Sequence, residues 1–80
     1  MWIKYKGDYI PTSNYQRFFI GRNDNGHVGL VCVYEANNYD FFKISETARK
    51  DSVEDLIDDI IGRGCTLLNL ENIGYKVELY

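Results

Sequence analysis

The alternation of apolar and polar residues predicts β-strands over the first half of the chain. Residues 2–6 form a short strand-like run, and Gly7-Asp8 after it can supply the positive φ angles of a two-residue hairpin turn. The chain would then return through residues 9–10. Because Pro11 has no backbone donor, the return strand is expected to end there or to lie on a sheet edge.

The strongest local signal is an antiparallel meander. Residues 16–22 and 27–35 are β-rich runs joined by residues 23–26, and this turn ends in Asn-Gly. The second run is apolar at every position from 30 to 34, which predicts a central strand covered on both faces. Residues 39–44 read as a further strand, so consecutive short turns would connect neighbouring strands.

An amphipathic helix is predicted over about 52–62, where the apolar period changes from two to 3.6. Ser52 and Asp55 resemble a capping arrangement at its start, and Gly62 and Gly64 offer a stop. Five aliphatic residues share one stripe of this helix and are all expected to face a sheet: Val53, Leu56, Ile57, Ile60 and Ile61.

The C-terminal segment gives a mixed pattern. Residues 65–73 are ambiguous, whereas residues 74–80 alternate and predict a final strand with Tyr75, Val77 and Leu79 on one face. The predicted fold is therefore α+β: an antiparallel sheet of about four to five strands, packed on one face by a single amphipathic helix, in β-β-β-β-α-β order.

Composition supports one small domain over residues 1–80. A chain of 80 residues buries too little surface to divide between two cores, and its 45% apolar and 15% aromatic residues are enough for one. The two cysteines fall short of a disulfide framework. Cys32 lies in an apolar run and is expected to be a buried free thiol, with no bridge to Cys65.

The N-terminal residues argue for a cytoplasmic location. Lys4, Lys6 and Asp8 interrupt the first ten residues, so no apolar signal-peptide region is present, and no apolar stretch is long enough to cross a bilayer. We expect the cytoplasm, or the host cytoplasm if the protein is encoded by a phage, and no membrane partner.

Charge disfavours direct contact with nucleic acid. The net charge is −3, from twelve acidic and nine basic residues, and phosphate binding requires clustered cations. The basic residues are instead dispersed along the sequence at positions 4, 6, 17, 22, 43, 49, 50, 63 and 76.

No constellation for catalysis or for a cofactor stands out. His27 is the single histidine, no local motif surrounds Cys65, and zinc would need paired ligand spacings that are absent. Carboxylates on one rigid helix cannot wrap Mg²⁺ or Ca²⁺ as a loop does. Gly62-Arg63-Gly64 follows a helix, which is the wrong order for a phosphate-binding loop. We expect a protein that is not an enzyme and holds neither metal nor cofactor.

Two surface features are candidates for binding a protein partner. The helix carries like-charge pairs four residues apart, each of which disfavours the helix by about 0.2–0.5 kcal/mol. Such a face either keeps the protein soluble or docks a basic partner. Exposed tyrosines either lie on a solvated sheet face or form an interface, including one between two copies. The candidate partner-binding residues are Glu54, Asp55, Asp58, Asp59, Tyr39 and Tyr75.

The length, the acidic helix over 52–61 and the tyrosine-rich strands resemble small orphan proteins of phages and mobile elements, a group that includes many CRISPR inhibitors. The resemblance implies a stoichiometric inhibitor that occupies a basic groove of a nuclease complex, and it transfers no individual residue. The alternative from the residues is a homo-oligomeric structural or accessory protein, such as a homodimer, that associates through its tyrosine-bearing strands.

Overall fold

The computed structural model describes residues 1–36 and 38–78, and it describes side chains outside 75–78. The described part of the chain contains six strands, a 3₁₀ turn and two α-helices. In chain order these are β1 (Trp2–Tyr5), β2 (Asp8–Pro11), the 3₁₀ turn (Thr12–Asn14), β3 (Arg17–Arg22), β4 (Val28–Glu35), β5 (Asn38–Ser45), α1 (Lys50–Gly62), β6 (Leu67–Asn69) and α2 (Leu70–Glu78). This confirms the α+β class.

The predicted N-terminal hairpin is present, with its turn one residue earlier than expected. Tyr5 pairs with Asp8, so the two-residue loop is Lys6-Gly7, with φ angles of 48° and 84°. Two successive positive φ angles match the type I′ turn that suits the twist of a hairpin. β2 lies at the sheet edge and ends at Pro11, as the missing proline donor predicts.

The predicted meander is confirmed in β3, β4 and β5, which pair antiparallel with β4 in the centre. The Asn23 side chain organises the first turn, because its Oδ1 atom accepts hydrogen bonds from the backbone N–H groups of Asn25 and His27, each at 3.0 Å. Gly26 completes this turn at a φ of 80°, where residues with a side chain are strained.

The strands form two three-stranded sheets, so the predicted single sheet of four to five strands is wrong. The first sheet has the order β2-β1-β6 and the second the order β3-β4-β5. β6 runs parallel to β1, with Trp2 opposite Leu67 and Lys4 opposite Asn69. A three-residue strand carries no usable alternation, and its partner lies more than sixty positions away in sequence, so local patterns could not reveal the pairing.

The central helix is confirmed, although its start differs from the prediction. α1 begins at Lys50, and its N-cap residue Arg49 makes no side-chain capping bond, so the predicted Ser52 cap is wrong. Before the helix, Ser45 Oγ accepts hydrogen bonds from the backbone N–H groups two and three residues later, at 3.2 and 3.0 Å. Gly64, at a φ of 77°, lies just after the helix where a left-handed residue commonly ends one.

The predicted C-terminal strand is wrong, because the chain is helical from Leu70 to Glu78. Tyr75 and Val77 therefore belong to α2, and Leu79 lies outside the described residues. Asn69 Oδ1 caps the helix by accepting the backbone N–H groups of Glu71 at 3.2 Å and Asn72 at 3.3 Å. Because the predicted strand is a second helix, the prediction of a single helix is also wrong.

A helical spacing in the ambiguous segment explains this error. Leu70 and Ile73 lie three positions apart and are 1% and 2% exposed, so they form the buried stripe of α2. The alternation at 74–80 favours a strand and the spacing of Leu70 and Ile73 favours a helix. The helix forms because it buries these two side chains in the core.

One contiguous core joins both sheets and both helices. Its buried members are Ile3, Ile20, Val28, Leu30, Cys32, Phe42, Ile44, Val53, Ile57, Leu68, Leu70 and Ile73. Of the five aliphatic residues predicted to face inward from α1, Val53 and Ile57 are buried and Leu56 and Ile60 are partly buried. Ile61 is 46% exposed, so the prediction is wrong for this residue.

Helix α2 crosses β5 at a position where only glycine fits. A Cβ atom on Gly74 would lie 2.3 Å from the backbone oxygen of Ile44, whereas a Cβ atom on Gly62 would meet nothing within 4 Å. A backbone oxygen cannot move aside as the end of a side chain can. The close approach of α2 to the second sheet therefore depends on Gly74.

We expect Gly74→Ala to lower the free energy of unfolding by about 2 kcal/mol, because the added methyl group forces the helix away from β5. Gly62→Ala is the matched control and should raise stability slightly, by about 0.5 kcal/mol, because alanine favours the helix. Urea unfolding of the two variants measures both changes. Equal stability of the two variants would contradict this packing of α2.

The two thiols differ sharply in environment. Cys32 and Cys65 are both free, as predicted, and Cys32 is 0% exposed whereas Cys65 is exposed. Burial, and after it the neighbouring carboxylate of Asp40, raises the pKa of Cys32 from 9.0 to about 12. The folded protein therefore keeps this proton at pH values where the unfolded chain loses it.

This difference predicts a loss of stability at alkaline pH. A group whose pKa is raised by folding stabilises the protein fully below its unfolded pKa, here near 9.0, and this contribution is lost as the pH rises towards 12. Between pH 8 and pH 11 the expected loss from this thiol is about 2 kcal/mol. Cys32→Ala should remove this part of the pH dependence, and Cys65→Ala should not. Urea unfolding at the two pH values measures it, and identical profiles for the two variants would refute the assignment.

Candidate functional site

The four predicted acidic residues of α1 lie on its outer side and are partly paired within the chain. Glu54 Oε1 lies 3.8 Å from Lys50 Nζ, and Asp59 Oδ2 lies 3.2 Å from an Arg63 nitrogen. Both are exposed pairs four residues apart, which are worth only a few tenths of a kcal/mol each.

The other two acidic residues have no such partner. Among the described side chains, no basic group lies within 4.0 Å of Asp55 or Asp58. Both residues are exposed. Their charges, and the weakly compensated charge of Glu54, leave this side of the helix acidic.

An open apolar groove of about 420 Å³ runs beside the acidic helix. It lies between α1, the edge strand β3 and the first sheet, and Glu54 and Asp58 line its wall. We call it the apolar groove; its lining residues are Met1, Ile3, Thr12, Phe18, Phe19, Ile20, Leu30, Glu54, Ile57, Asp58, Ile61 and Leu68.

The groove has a fixed floor and an exposed apolar rim. Among its lining residues Ile3 and Ile57 belong to the buried core, at 0% and 5% exposed. Met1, Phe18 and Ile61 are 45%, 42% and 46% exposed, which is unusual for large apolar side chains. The floor is therefore held by core packing, while the rim presents apolar surface to an incoming ligand.

The structure does not bring the predicted tyrosines to this groove. Tyr39 lies on β5 and is 59% exposed, in a second depression on the outer face of the second sheet. Tyr75 lies in α2, and its side chain is not described. The residues predicted to bind a partner therefore do not form one site. Of the six, only Glu54 and Asp58 line the apolar groove.

Sequence reasoning missed the apolar part of the groove. Phe18 and Phe19 are consecutive in β3, so their side chains point to opposite faces, and both line the groove because β3 is an edge strand. Ile61 looked like a core residue because it falls on the aliphatic stripe of α1. The adjacent phenylalanines were the signal in the sequence that could have indicated this surface. They place a large apolar side chain on each face of one strand, and an edge strand cannot have both faces fully covered.

The titratable groups with the strongest interactions are structural. The Tyr15 hydroxyl donates a hydrogen bond of 2.7 Å to Asp40 Oδ2, and burial together with this carboxylate raises the pKa of Tyr15 well above its usual value. Hydrogen bonding to Lys43 at 2.7 Å lowers the pKa of Glu46. A tyrosine held in its protonated form fastens the segment before β3 to β5 and is poorly suited to proton transfer at neutral pH.

The described residues offer no assembled centre for a metal ion. Within residues 1–36 and 38–78, the searched side chains include no group of three or more histidine, cysteine or acidic residues placed to share a cation. His27 is half-buried beside the Asn23 turn. Over the same part of the chain, no helix combines the length and the apolar character that crossing a bilayer requires.

Comparison with known proteins finds no family that matches this chain, no similar curated protein and no similar solved structure. Function therefore has to be inferred from the shape and charge of the two surfaces described above.

Proposed function

We propose that this protein is a non-enzymatic binding module that holds a segment of a partner protein in the apolar groove. The segment would insert an aliphatic side chain onto the floor of the groove and place a lysine or arginine against Glu54 and Asp58. The observation that carries the proposal is a preformed apolar groove with two carboxylates on one wall.

The size and the lining of the groove suit such a ligand. A volume of about 420 Å³ falls in the range of small-molecule and side-chain pockets, and most of its lining is apolar. Because its floor is part of the core, the groove needs no rearrangement before binding, which lowers the entropic penalty of association.

The carboxylates would select the charge of the partner. Glu54 and Asp58 lie one helical turn apart on the groove side of α1, while Asp55 and Asp59 occupy the neighbouring stripe and add to the negative field. A carboxylate row next to an apolar pocket attracts basic segments and repels acidic ones. The proposal thus keeps the acidic residues predicted from the sequence and gives Glu54 and Asp58 the direct contacts.

A stoichiometric inhibitor is the biological role that this activity would suit best. A module that covers a basic surface of a partner, such as a nuclease complex, blocks that surface without chemistry of its own. The homo-oligomer that associates through tyrosine-bearing strands stays a prediction, supported by the exposure of Tyr34 and Tyr39 at 39% and 59%.

We expect a short synthetic peptide of alternating leucine and lysine to bind in the apolar groove. Titration monitored by amide NMR shifts should perturb β3 and the second half of α1. Replacing Glu54 and Asp58 with Gln and Asn should weaken binding about fivefold, the sum of two exposed ion pairs. Ile61→Ala should also weaken it, because apolar contact area is lost.

The matched control is the pair Asp55→Asn and Asp59→Asn on the adjacent stripe, which should change the affinity by less than about twofold. A peptide of alternating leucine and glutamate should bind much more weakly than the lysine peptide. Equal affinity for the two peptides, or shifts that map away from the groove, would refute the proposed function.

A further inference from the structure

A depression on the outer face of the second sheet is lined by basic residues from β3 and from α1. Arg17, Arg22 and Lys50 line one depression of about 450 Å³, and no acidic residue lines it. The acidic net charge and the dispersal of basic residues along the chain both argue against nucleic-acid contact, and only the second argument is changed by the fold. The fold places Lys50 of α1 at the same depression as Arg17 and Arg22, the two ends of β3, so a chain of net charge −3 carries a locally basic surface.

Aromatic and aliphatic side chains on this face lie opposite one another on neighbouring strands. Arg17, Val33 and Tyr39 form one row across the three strands, and Phe19, Val31 and Phe41 form the next. Neighbouring rows on one face are about 7 Å apart along the strands. We call the surface made by these two rows the aromatic sheet face. Arg22 belongs to the alternate position of β3 and Lys50 to α1, and both line the same depression.

Gly29 lets the Phe41 ring lie close against the backbone of β4. A Cβ atom on Gly29 would lie 2.4 Å from the backbone oxygen of Phe42 and 2.7 Å from the Phe41 ring. Phe41 thus covers the backbone at Gly29. Phe19 and Tyr39 on the same face stay exposed to solvent, so a planar group can stack on their rings.

Two of the three cations that line this depression have no carboxylate partner among the described side chains, whereas Lys50 forms a weak, exposed pair with Glu54 at 3.8 Å. Arg22 also donates a hydrogen bond of 3.2 Å to the Gly26 carbonyl oxygen. The Arg17 guanidinium lies 5.5 Å from the centre of the Phe19 ring, and no described carboxylate lies within 4.0 Å of Arg17 or Arg22. Tyr39 is 59% exposed and Phe19 is 45% exposed. Exposed rings beside these two arginines favour a ligand that carries both negative charge and flat rings.

We propose that the aromatic sheet face binds single-stranded nucleic acid. Phosphates would contact Arg17, Arg22 and Lys50, and bases would stack on Tyr39 and Phe19, the combination by which proteins hold single strands without reading sequence. An acidic protein segment would satisfy the cations but would leave the rings without stacking partners. The aromatic sheet face is a different surface from the apolar groove proposed to bind a peptide, although Phe19 borders both depressions.

Fluorescence anisotropy with a labelled oligothymidylate of about ten nucleotides tests the proposal, together with an abasic strand of equal length and a polyglutamate peptide. We expect oligothymidylate to bind about tenfold more tightly than the abasic strand, because stacking is lost without bases. Raising the salt from about 50 to 200 mM should weaken binding about tenfold to twentyfold if about three phosphates are neutralised.

Matched variants locate the site. Tyr39→Ala should weaken binding about tenfold, whereas Tyr9→Ala, which removes an equally exposed tyrosine from β2, should leave it unchanged. Arg17→Gln should weaken binding and make the slope of log affinity against log salt shallower by about 0.7, whereas Arg63→Gln should not. Both tyrosines are 59% exposed, so thermal unfolding should show both variants folded.

Three results would overturn the proposal: no binding of oligothymidylate at low salt, polyglutamate binding as tight as oligothymidylate, or wild-type affinity in Tyr39→Ala. The lysine–leucine peptide proposal is tested by variants of Glu54, Asp58 and Ile61, which do not line the second depression, so failure of one proposal leaves the other unaffected.

Discussion

The fold depends on apolar contact between two small sheets that share one core. Each sheet has only three strands, and β1, β2 and β6 are only three or four residues long, too short to be stable without packing against other elements. Ile57 of α1 lies at the junction. It lines the same groove as Ile3 and Leu68 of the first sheet and Ile20 and Leu30 of the second. Helix α1 packs on β3 and on α2, and α2 contacts both β1 of the first sheet and β5 of the second, so the two helices together join the sheets.

The positions of the candidate sites follow from which side chains are buried in this core. Val53 and Ile57 turn inward, which places the carboxylates of α1 outside, and Ile61 at the far end of the helix stays partly uncovered. The space left between α1, β3 and the first sheet becomes the apolar groove. The second sheet uses its inner face for the core, so its outer face keeps exposed aromatic rings and becomes the second surface. One packing arrangement thus produces two surfaces of opposite charge.

The sequence predicted those parts of the fold that local patterns control. Short-range rules account for the Asn23–Gly26 turn, the central position of β4 and four of the five aliphatic residues predicted to face inward from α1. They also predict the N-terminal hairpin, although its turn lies one residue earlier than expected. The parallel pairing of β6 with β1 could not be found this way, because it depends on contact between distant segments. At the C-terminus, alternation over 74–80 competed with the helical spacing of Leu70 and Ile73, and tertiary burial favoured the helix.

The candidate sites were predictable only in part, for the same reason. The acidic stripe of α1 could be read directly, since a helix with one apolar face must expose its other residues. Two other features depend on how distant segments pack together. These are the apolar floor beside Glu54 and Asp58, and the presence of Arg17 and Lys50 in one depression. Both follow from tertiary arrangement, which a pattern of residue types along the chain does not encode.

Native-state hydrogen exchange tests the shared core most directly. The slowest amides of β1 and of β4 should open with the same free energy, because neither sheet is stable alone. Ile57→Ala should lower both values equally, by about 2 kcal/mol. Opening of β1 at a clearly lower free energy than β4, or an effect of Ile57→Ala on one sheet alone, would show that the sheets are independent and would contradict this account.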